Sequence, residues 1–278
     1  MIACVSGIYD EPELYQLACA YRDVPAEVTA MQAWCAAHYA GPGSEVSSVL
    51  ELAAGPAEHA RELARRGLRA TALDRSPAMC AFAGSQAKAA GVDLEVVEAD
   101  MRDFRLHRRL DVAITMLNSL CHLFTLDDMV RHLKSVTGHL VEGGLYIVEL
   151  AHPADFFAQV PRTSSEWDIE SGGVRAKVRW GGKGDRIDPL TQVTNEHMTI
   201  TATAQDGTVR TVSDVVPNRF WTLTEFTAAV RLAGGLRPVA SYGDFDQTTT
   251  LDAPAAWRMI IILQAAEDAE GAGNAGNA

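Results

Sequence analysis

Two sequence patterns alternate over the first 150 residues of this chain. Short, continuous apolar segments, which suit strands buried on both faces, alternate with segments whose apolar residues recur at helical spacing. This alternation predicts an α/β fold, in which helices cover both faces of a doubly wound, mostly parallel sheet. Seven strands are predicted: Val46 to Leu52, Leu68 to Asp74, Leu94 to Asp100, Leu110 to Leu117, Gly144 to Leu150, Leu236 to Tyr242 and Trp257 to Gln264.

Capping residues indicate where helices begin and end between these strands. Ser76 and Pro77 suit the N-cap and the first turn of a helix, and Gly91 suits the end of that helix. Thr222 and Glu225 have the spacing of a capping box at the start of a later helix. The local signals therefore predict helices on both sides of the inserted region described below.

The charge and composition of the chain argue against several classes of function. A formal net charge of −12 repels phosphate backbones, and no run of lysine or arginine compensates for it, so we expect no nucleic-acid partner. No segment suits a signal peptide or a membrane span, so we expect a cytoplasmic protein without a membrane partner. The five cysteines are scattered and the eight histidines are dispersed, so the sequence predicts no metal site.

The first predicted strand ends in a turn that suits cofactor binding. The turn runs from Glu51 through Gly55 to Glu58, at the carboxyl end of a strand, where open α/β sheets bind ligands. Asp74 ends the second strand 19 residues after Gly55, the distance at which an acid in such folds binds a ribose. We therefore expect an adenosine-containing cofactor. The alternative is an ordinary strand-to-helix turn that binds nothing.

The charge of this turn indicates which cofactor it suits. The pyrophosphate of a dinucleotide needs free backbone N–H groups and a positive field. Here Pro56 has no N–H, and Glu51 and Glu58 place a carboxylate at either end of the turn. S-adenosylmethionine has no phosphate and carries an ammonium and a sulfonium, so an acidic turn suits it. A nicotinamide-dependent reductase and a non-catalytic cofactor-binding module are the alternatives.

Five segments together resemble the class I S-adenosylmethionine-dependent methyltransferases. They are Leu50 to Gly55, Ala72 to Asp74, Glu98 to Phe104, Met116 to Leu123 and Glu142 to Gly144. The resemblance runs from Ser47 to about Leu150, and it implies a Rossmann-like methyltransferase core with S-adenosylmethionine as its cofactor. The chain departs from the family at Ala53 and Ala57, where the family usually has glycine.

The resemblance also implies which residues hold the cofactor. Glu51 and Gly55 would hold its amino-acid end, Asp74 its ribose, and Asp100 with the Met101 backbone its adenine. The other residues expected beside the cofactor are Tyr15, Ala53, Arg75, Met79, Met116 and Asn118.

Within that family the chain is most similar in layout to the amino-sugar N,N-dimethyltransferases of antibiotic biosynthesis. The shared features are an N-terminal helix with a tyrosine, here Tyr15, a D-M-R-D-F segment, an S-x-x-H-L stretch that ends at Leu123, and strands inserted after the fifth strand. The likeness implies a small-molecule acceptor in secondary metabolism, methylated on nitrogen or oxygen. A homo-oligomer, such as a dimer, is compatible with it.

Turn residues and composition divide the chain into five predicted regions. Gly172-Gly173 and Asp206-Gly207 separate polar, β-branched segments, which predicts antiparallel strands. The regions are 1–45, an N-terminal helical lid; 46–160, the cofactor-binding core; 161–216, an antiparallel β insertion; 217–268, the completion of the core; and 269–278, a disordered tail. The insertion is expected to build either the acceptor pocket or an oligomer interface.

Methyl transfer requires mainly that the reacting atoms are held in line, and a base is needed only for an acceptor that carries a proton. His122 is the first candidate for that base, because it follows the fourth strand and histidine titrates near neutrality. His152 is the alternative base, and Tyr15 is a candidate to close over the reacting groups. The residues expected beside the acceptor are Tyr21, Arg22, Asn118, Ser119, His122 and His152.

Carbon methylation is the alternative reaction. A carbon acceptor that becomes a carbocation must lose a proton, and a carboxylate is suited to accept it. Glu149, Glu166 and Glu170 are the candidates, although each also suits a plain strand-end or solvated position.

Overall fold

The computed structural model describes residues 7–43, 45–157 and 164–266. The predicted tail, 269–278, lies outside the described residues. The strands are β1 (Ser48–Leu52), β2 (Arg69–Asp74), β3 (Leu94–Glu98), β4 (Leu110–Thr115), β5 (Leu140–Ala151), β6 (Ser165–Ser171), β7 (Val174–Trp180), β8 (Val193–Thr203), β9 (Val209–Arg219), β10 (Leu236–Tyr242) and β11 (Arg258–Ala265). The helices are α1 (Pro12–Ala18), α2 (Val24–His38), α3 (Glu58–Arg65), α4 (Pro77–Ala90), α5 (Leu126–His139), α6 (Ala154–Phe157) and α7 (Leu223–Ala233).

Seven strands form the main sheet, in the order β10-β11-β5-β4-β1-β2-β3. The pairs β1/β2, β1/β4, β2/β3 and β4/β5 are parallel, and β11 runs antiparallel to both of its neighbours. The predicted seven-stranded, mostly parallel sheet is confirmed. Because β4 lies on the other side of β1 from β2, a crevice opens between the carboxyl ends of β1 and β4, where open α/β sheets bind their ligands.

The predicted capping residues begin and end their helices as expected. The Ser76 hydroxyl accepts a hydrogen bond from the Met79 N–H at the start of α4, and Gly91 ends α4 in the left-handed conformation, with φ of 66°. Thr222 and Glu225 form the reciprocal capping box of α7. The side-chain contacts at these helix starts span three residues, so the local sequence determines them.

Among the strand ends that differ from the prediction, two differ for reasons of backbone conformation. The fifth strand begins at Leu140, before the predicted Gly144, because the chain passes directly from α5 into extended backbone that pairs Leu140 with Leu110. The fourth strand ends at Thr115, before the predicted Leu117, because Leu117 has a positive φ that no strand continues through.

The helices form a layer on each face of the main sheet. Apolar residues of α5 and α7 pack on one face, and apolar residues of α2, α3 and α4 pack on the other. In α2, the Trp34 ring is fully buried and stacks on Tyr242 of β10, with ring centroids 5.0 Å apart. Of the predicted lid 1–45, α2 therefore lies in the helical layer of the main sheet.

The inserted strands form a second sheet, in the order β6-β7-β8-β9, with every pair antiparallel. One face of this sheet is apolar and packs against Ile8 and against Leu14 and Ala18 of α1. The Trp167 indole of β6 donates a hydrogen bond to the Ala18 carbonyl, at 3.0 Å. The segment before α2 therefore lies between the two sheets.

Candidate active site

A cavity of about 380 Å³ lies at the carboxyl ends of β1, β2 and β3 and beside the turn after β4, and we call it the cofactor cavity. Its lining residues are Gly7, Tyr9, Asp10, Tyr15, Ala53, Gly55, Leu73, Asp74, Arg75, Ser76, Pro77, Met79, Ala99, Asp100, Met101, Arg102, Ser119, His122, Leu123 and Asp214. The position is the one that the sheet topology predicts for a ligand. It includes most of the residues that sequence reasoning placed beside the cofactor.

The turn after β1 has three residues in the left-handed conformation. Ala53, Gly55 and Ala57 have φ of 50°, 51° and 56°. Glycine adopts this conformation freely, whereas an alanine there costs roughly 1 kcal/mol or more. The two alanines therefore carry backbone strain at the positions where the resemblance to the methyltransferase family predicts glycine.

Asp74 at the end of β2 organises the same turn. One carboxylate oxygen accepts the Gly55 N–H at 2.7 Å, and the other accepts the Ser76 N–H at 2.8 Å. Burial raises the pKa of Asp74 above its ordinary value, against the hydrogen bonds from Ser76 and Gly55, which lower it. Each oxygen keeps a free lone pair, so the carboxylate has room to accept the two hydroxyls of a ribose.

Asp100 and Met101 lie on the cavity wall beyond β3. The Asp100 carboxylate accepts hydrogen bonds from the backbone N–H of Arg102, at 2.8 Å, and from its guanidinium, at 2.6 Å. These bonds, led by the one from the guanidinium, lower the pKa of Asp100. The buried Met101 supplies an apolar surface beside this pair, which suits the flat ring expected there.

Glu51 occupies a different place from the one its sequence position suggests. Its carboxylate is buried behind the turn, where it accepts the Ala60 N–H at 2.8 Å and lies 3.3 Å from the His59 ring. It lines a small side cavity of about 30 Å³ together with Tyr15 and Met116. Glu51 and Met116 thus lie beside the cofactor cavity, and neither is on its main wall.

Buried charges link that glutamate to Glu149 on β5, which is separated from β1 by β4. His59 pairs with Glu27 at 2.7 Å, and Arg22 pairs with Glu27 at 2.7 Å and with Glu149 at 2.9 Å. Arg258 also pairs with Glu149. The Arg22 side chain is 1% exposed and lies in this charge network. It lines the small side cavity together with Glu51, but it does not line the cofactor cavity.

The network contains alternating acids and bases. Burial opposes the charge of Glu27, but hydrogen bonds from His59 and Arg22 outweigh it and lower the pKa of Glu27 to about 2. Burial also opposes the charge of His59, but its two carboxylate partners raise the pKa of His59. Buried charges of this kind persist only as pairs, so the network fixes the start of α2 to β5.

A second cavity, of about 300 Å³, opens between the main sheet and the insertion, and we call it the acceptor cavity. Its lining residues are Tyr9, Tyr15, Cys19, Tyr21, Leu117, Asn118, Ser119, Cys121, His122, Glu149, Leu150, Ala151, Asp155, Ser164, Ser165, Trp167, Trp180, Glu196, Asn218, Phe220, Trp257 and Arg258. The aromatic rings are in mutual contact: Trp167 stacks on Trp180 at 6.4 Å, and Tyr21 meets Trp167 edge-on at 5.8 Å. About half of this wall comes from the insertion and the N-terminal segment, and the other half comes from the turn after β4 and from the ends of β5 and β11.

The two cavities share a wall made by Tyr9, Tyr15, Ser119 and His122. The Tyr9 hydroxyl hydrogen-bonds the Nε2 atom of His122 at 3.1 Å. Burial, reinforced by the charge of Arg75, lowers the pKa of His122 to about 4. The expectation that His122 titrates near neutrality is therefore wrong, and its imidazole is uncharged at neutral pH.

A strained turn after β4 positions this wall. Leu117 and Asn118 have φ of 54° and 57°, which is rare for residues other than glycine. The Leu117 N–H donates to Glu149 at 2.9 Å, and the Asn118 side chain accepts the Ala151 N–H at 3.0 Å. Both bonds tie the turn to the end of β5 and set the start of the 3₁₀ turn Ser119–His122.

His152 lies apart from the two cavities. Its Nε2 atom is 2.9 Å from the Leu251 carbonyl, and its Nδ1 atom accepts the Ala154 N–H at 3.2 Å. Neither cavity includes it among its lining residues. The structure therefore separates it from His122, the other candidate base.

Tyr9 and Glu196 are two of the wall residues that sequence reasoning missed. Tyr9 lies in an N-terminal segment with no periodic pattern around it, so it offered no signal. Glu196 did offer one: along β8 the inward positions alternate with outward ones, and Glu196 falls on the inward, otherwise largely apolar phase with Met198 and Ile200. An acid at an inward, buried position of a strand is uncommon, so the alternation along β8 could have singled out Glu196.

Among the helices of residues 7–43, 45–157 and 164–266, none is both long and apolar enough to cross a bilayer. In the same part of the chain, no cluster of three or more histidine, cysteine or acidic side chains is arranged to hold a metal ion.

Comparison with known proteins identifies the domain. Residues 49–144 match the family model described as a methyltransferase domain. The chain is 30% identical over 105 residues to the dTDP-3-amino-3,4,6-trideoxy-alpha-D-glucopyranose N,N-dimethyltransferase of Streptomyces venezuelae. That match covers 38% of this chain and 43% of the relative, so it spans less than half of the relative's length.

Solved structures share the whole fold. The crystal structure of DesVI from Streptomyces venezuelae is 22% identical, with a TM-score of 0.76, and the match covers 92% of this chain and 98% of that one. The S-adenosylmethionine-bound structure of CalS10, an amino pentose methyltransferase from Micromonospora echinaspora, is 18% identical, with a TM-score of 0.66 and coverage of 89% and 95%. At these identities the likeness shows the fold, including the inserted sheet. Residues 49–144 therefore form a methyltransferase domain, within a chain whose overall fold is that of these solved structures.

Proposed function

We propose that the protein transfers a methyl group to the amino group of a small, sugar-like acceptor in secondary metabolism. The observation that supports this most is the wall shared by the cofactor and acceptor cavities. Ligands bound in the two cavities meet only where Tyr9, Tyr15, Ser119 and His122 line both. A group transfer between two ligands takes place at such a junction.

The cofactor cavity suits S-adenosylmethionine, which when bound supplies a methyl group activated by its sulfonium. Asp74 has free lone pairs for the ribose hydroxyls, and Asp100 and Met101 lie where the adenine is expected. Tyr15, on α1, lines both cavities and closes the end of the cofactor cavity nearest Gly55. The role of each residue here is to bind and orient, which is the larger part of catalysis for an activated methyl.

His122 and Tyr9 orient the acceptor in this proposal. An uncharged imidazole does not repel a cationic cofactor, and the lowered pKa of His122 keeps it uncharged. Its Nε2 atom faces the Tyr9 hydroxyl at the junction of the cavities, so the pair presents polar atoms to an acceptor N–H or O–H. His122 stays the candidate to receive a proton if the acceptor is a hydroxyl.

The acceptor cavity suits a sugar ring with an amino group. Aromatic faces such as Trp167 and Trp180 pack well against the apolar faces of a sugar and attract cations. The curated relative is an amino-sugar N,N-dimethyltransferase by its name, which points in the same direction.

Carbon methylation receives less support from the candidate carboxylates. Glu149 lines the acceptor cavity, but both of its oxygens are held by Arg22. Glu166 and Glu170 lie on exposed positions of β6. None of the three therefore presents a free carboxylate to the acceptor.

The proposal is tested by incubating the protein with S-adenosylmethionine and the amino sugar dTDP-3-amino-3,4,6-trideoxy-α-D-glucopyranose, the sugar in the relative's name. Mass spectrometry should detect the methylated amine in step with formation of S-adenosylhomocysteine. The matched control is the same sugar with a hydroxyl in place of the amine, which should react more slowly. Absence of methylated product from this sugar and from a panel of simpler amino sugars, in a protein that binds S-adenosylhomocysteine, would overturn the proposal.

A further inference from the structure

Glu196 is an acid in an unusual place. It lies on the inward face of β8, it is 7% exposed, and it lines the acceptor cavity. The next inward residues along the strand, Met198 and Ile200, are apolar and buried. A carboxylate buried among such residues is costly unless a partner compensates for its charge.

The described contacts of Glu196 leave much of its hydrogen-bonding capacity free. The Asn218 side chain donates to one oxygen at 2.6 Å, and Asn218 in turn accepts from the Cys121 thiol at 3.1 Å. The Trp180 indole also favours the charged form of Glu196. An ionised carboxylate accepts about four hydrogen bonds, so capacity for a further donor is left in the cavity.

The charges around Glu196 do not compensate for its own. Asp185 raises the pKa of Glu196, and Glu196 in turn raises the pKa values of Cys121 and Tyr9. Each of these three groups is neutral or negative. Burial, reinforced by the charge of Asp185, raises the pKa of Glu196 to about 7.

The two basic groups of the cavity wall are also unavailable to Glu196. Among the described lining residues these are His122, which is uncharged at neutral pH, and Arg258, which is paired with Glu149. The cation that Glu196 lacks is therefore one that an acceptor would bring.

We propose that Glu196 binds the ammonium group of the acceptor and takes one of its protons before methyl transfer. This inference rests on the proposed function, because it concerns the acceptor of that reaction. It names the acceptor as a cationic amine and gives Glu196, and not His122, the role of proton acceptor.

The step balances without any further reactant. One N–H bond of the ammonium breaks, its electron pair stays on nitrogen as the lone pair of the neutral amine, and the proton forms an O–H bond with Glu196. The carboxylate becomes a neutral carboxylic acid, and the freed lone pair is the nucleophile. Glu196 returns its proton to water when the cavity opens.

The test measures proton release when the acceptor binds. Calorimetry of the S-adenosylhomocysteine complex with dTDP-3-amino-3,4,6-trideoxy-α-D-glucopyranose is run in buffers of different ionisation enthalpy. Below the pKa of Glu196, the free carboxylic acid and the free ammonium each carry a proton, whereas the complex holds only one of the two. The wild type should therefore release about one proton near pH 6. Near pH 8 Glu196 is already ionised before the amine binds, so almost no proton is released. Glu196→Gln should abolish this release and raise the KM for the amine roughly 10- to 100-fold.

Matched variants separate the role of Glu196 from a structural one. Glu196→Asp keeps the charge and should recover part of the amine preference over the hydroxyl sugar. Glu170→Gln, at an exposed glutamate of the same insertion, should match the wild type throughout. Affinity for S-adenosylhomocysteine should be unchanged in all three variants, which shows that each is folded.

Two different results would overturn the inference, and only one of them would also overturn the proposed function. If the amine is methylated but Glu196→Gln keeps the wild-type proton release, or His122→Gln is the variant that loses it, the inference fails and the proposed function stands. If the protein neither binds nor methylates any amino sugar, both fail.

Discussion

The cofactor cavity and the acceptor cavity are built in different ways. The cofactor cavity is shaped by backbone turns at the ends of neighbouring parallel strands, with side chains such as Asp74 holding the turns through bonds to N–H groups. The acceptor cavity draws about half of its wall from the insertion and the N-terminal segment, including the rings of Trp167 and Trp180 and the carboxylate of Glu196. The comparison suggests that cofactor binding follows from the main sheet, whereas acceptor choice depends on elements packed onto it.

The largest expected effect concerns the charge network that joins the N-terminal segment to the main sheet. Arg22→Met leaves Glu27 without one partner and removes the bidentate pair with Glu149. Breaking a buried pair on one side costs about 3–5 kcal/mol, and urea unfolding at neutral pH should show a loss of that size.

Arg65→Met is the matched control for that variant, because Arg65 pairs with Glu62 at an exposed position. It should cost less than about 1 kcal/mol. If Arg22→Met keeps wild-type stability and instead raises the KM for the acceptor, Arg22 contacts the acceptor, as its sequence position suggests, and the network is not what holds the N-terminal segment.

Stability should also depend on pH through Glu196. Its pKa is raised from 4.5 to about 7 in the folded protein, so the unfolded chain ionises first as pH rises. The wild type therefore loses stability between about pH 4.5 and 7, by about 3 kcal/mol at most, and the loss is absent below that window. Glu196→Gln should be more stable than the wild type near pH 8 and equal to it near pH 4.5.

Thermal or urea unfolding of both proteins across this range measures the difference. Equal stabilities at both ends of the range would mean that the Glu196 charge is already compensated in the folded protein. The acceptor cavity would then contain no buried carboxylate with an uncompensated charge, and this difference from the cofactor cavity would disappear.

Asp74→Ala should weaken S-adenosylhomocysteine binding by about 100-fold, because it removes an acceptor for the ribose and releases the turn at Gly55. Calorimetry measures the dissociation constant. Glu196→Gln serves as the control from the other cavity and should change it less than about twofold. An Asp74→Ala protein that binds as tightly as the wild type would contradict the assignment of the cofactor cavity.

The smallest effect concerns the strain of the turn after β1. Ala53→Gly should stabilise the protein by up to about 1 kcal/mol, because glycine adopts the left-handed conformation without the clash of an alanine methyl. Ala54→Gly, at a buried neighbour without positive φ, should instead destabilise it. Changes of opposite sign in the free energy of unfolding would confirm the difference, whereas destabilisation by both variants would show that the Ala53 methyl group packs usefully.

How well the sequence predicts a feature of this protein depends on how far apart along the chain the interacting residues lie. Ser76 with Met79 and Thr222 with Glu225 interact over three residues, and their helices were predictable. The cofactor turn was predictable too, because a short strand-turn-helix segment forms it. The departures at Ala53 and Ala57 were visible in the sequence, whereas the left-handed conformation of both alanines appears only in the structure.

The acceptor cavity depends on contacts that no local pattern encodes. Tyr9 meets His122 across 113 residues, and Arg22 meets Glu149 across 127. The lowered pKa of His122 follows from burial that only the folded chain creates. Glu196 was detectable from strand alternation, but its position in the cavity follows from how the insertion packs on the N-terminal segment.

The most direct test of the account is a crystal structure with S-adenosylhomocysteine and an amino sugar bound together. The account predicts that the sulfur lies at the wall shared by the two cavities, with the amine between His122 and Glu196. A sulfur that points away from this wall, or an amine bound outside the acceptor cavity, would contradict it.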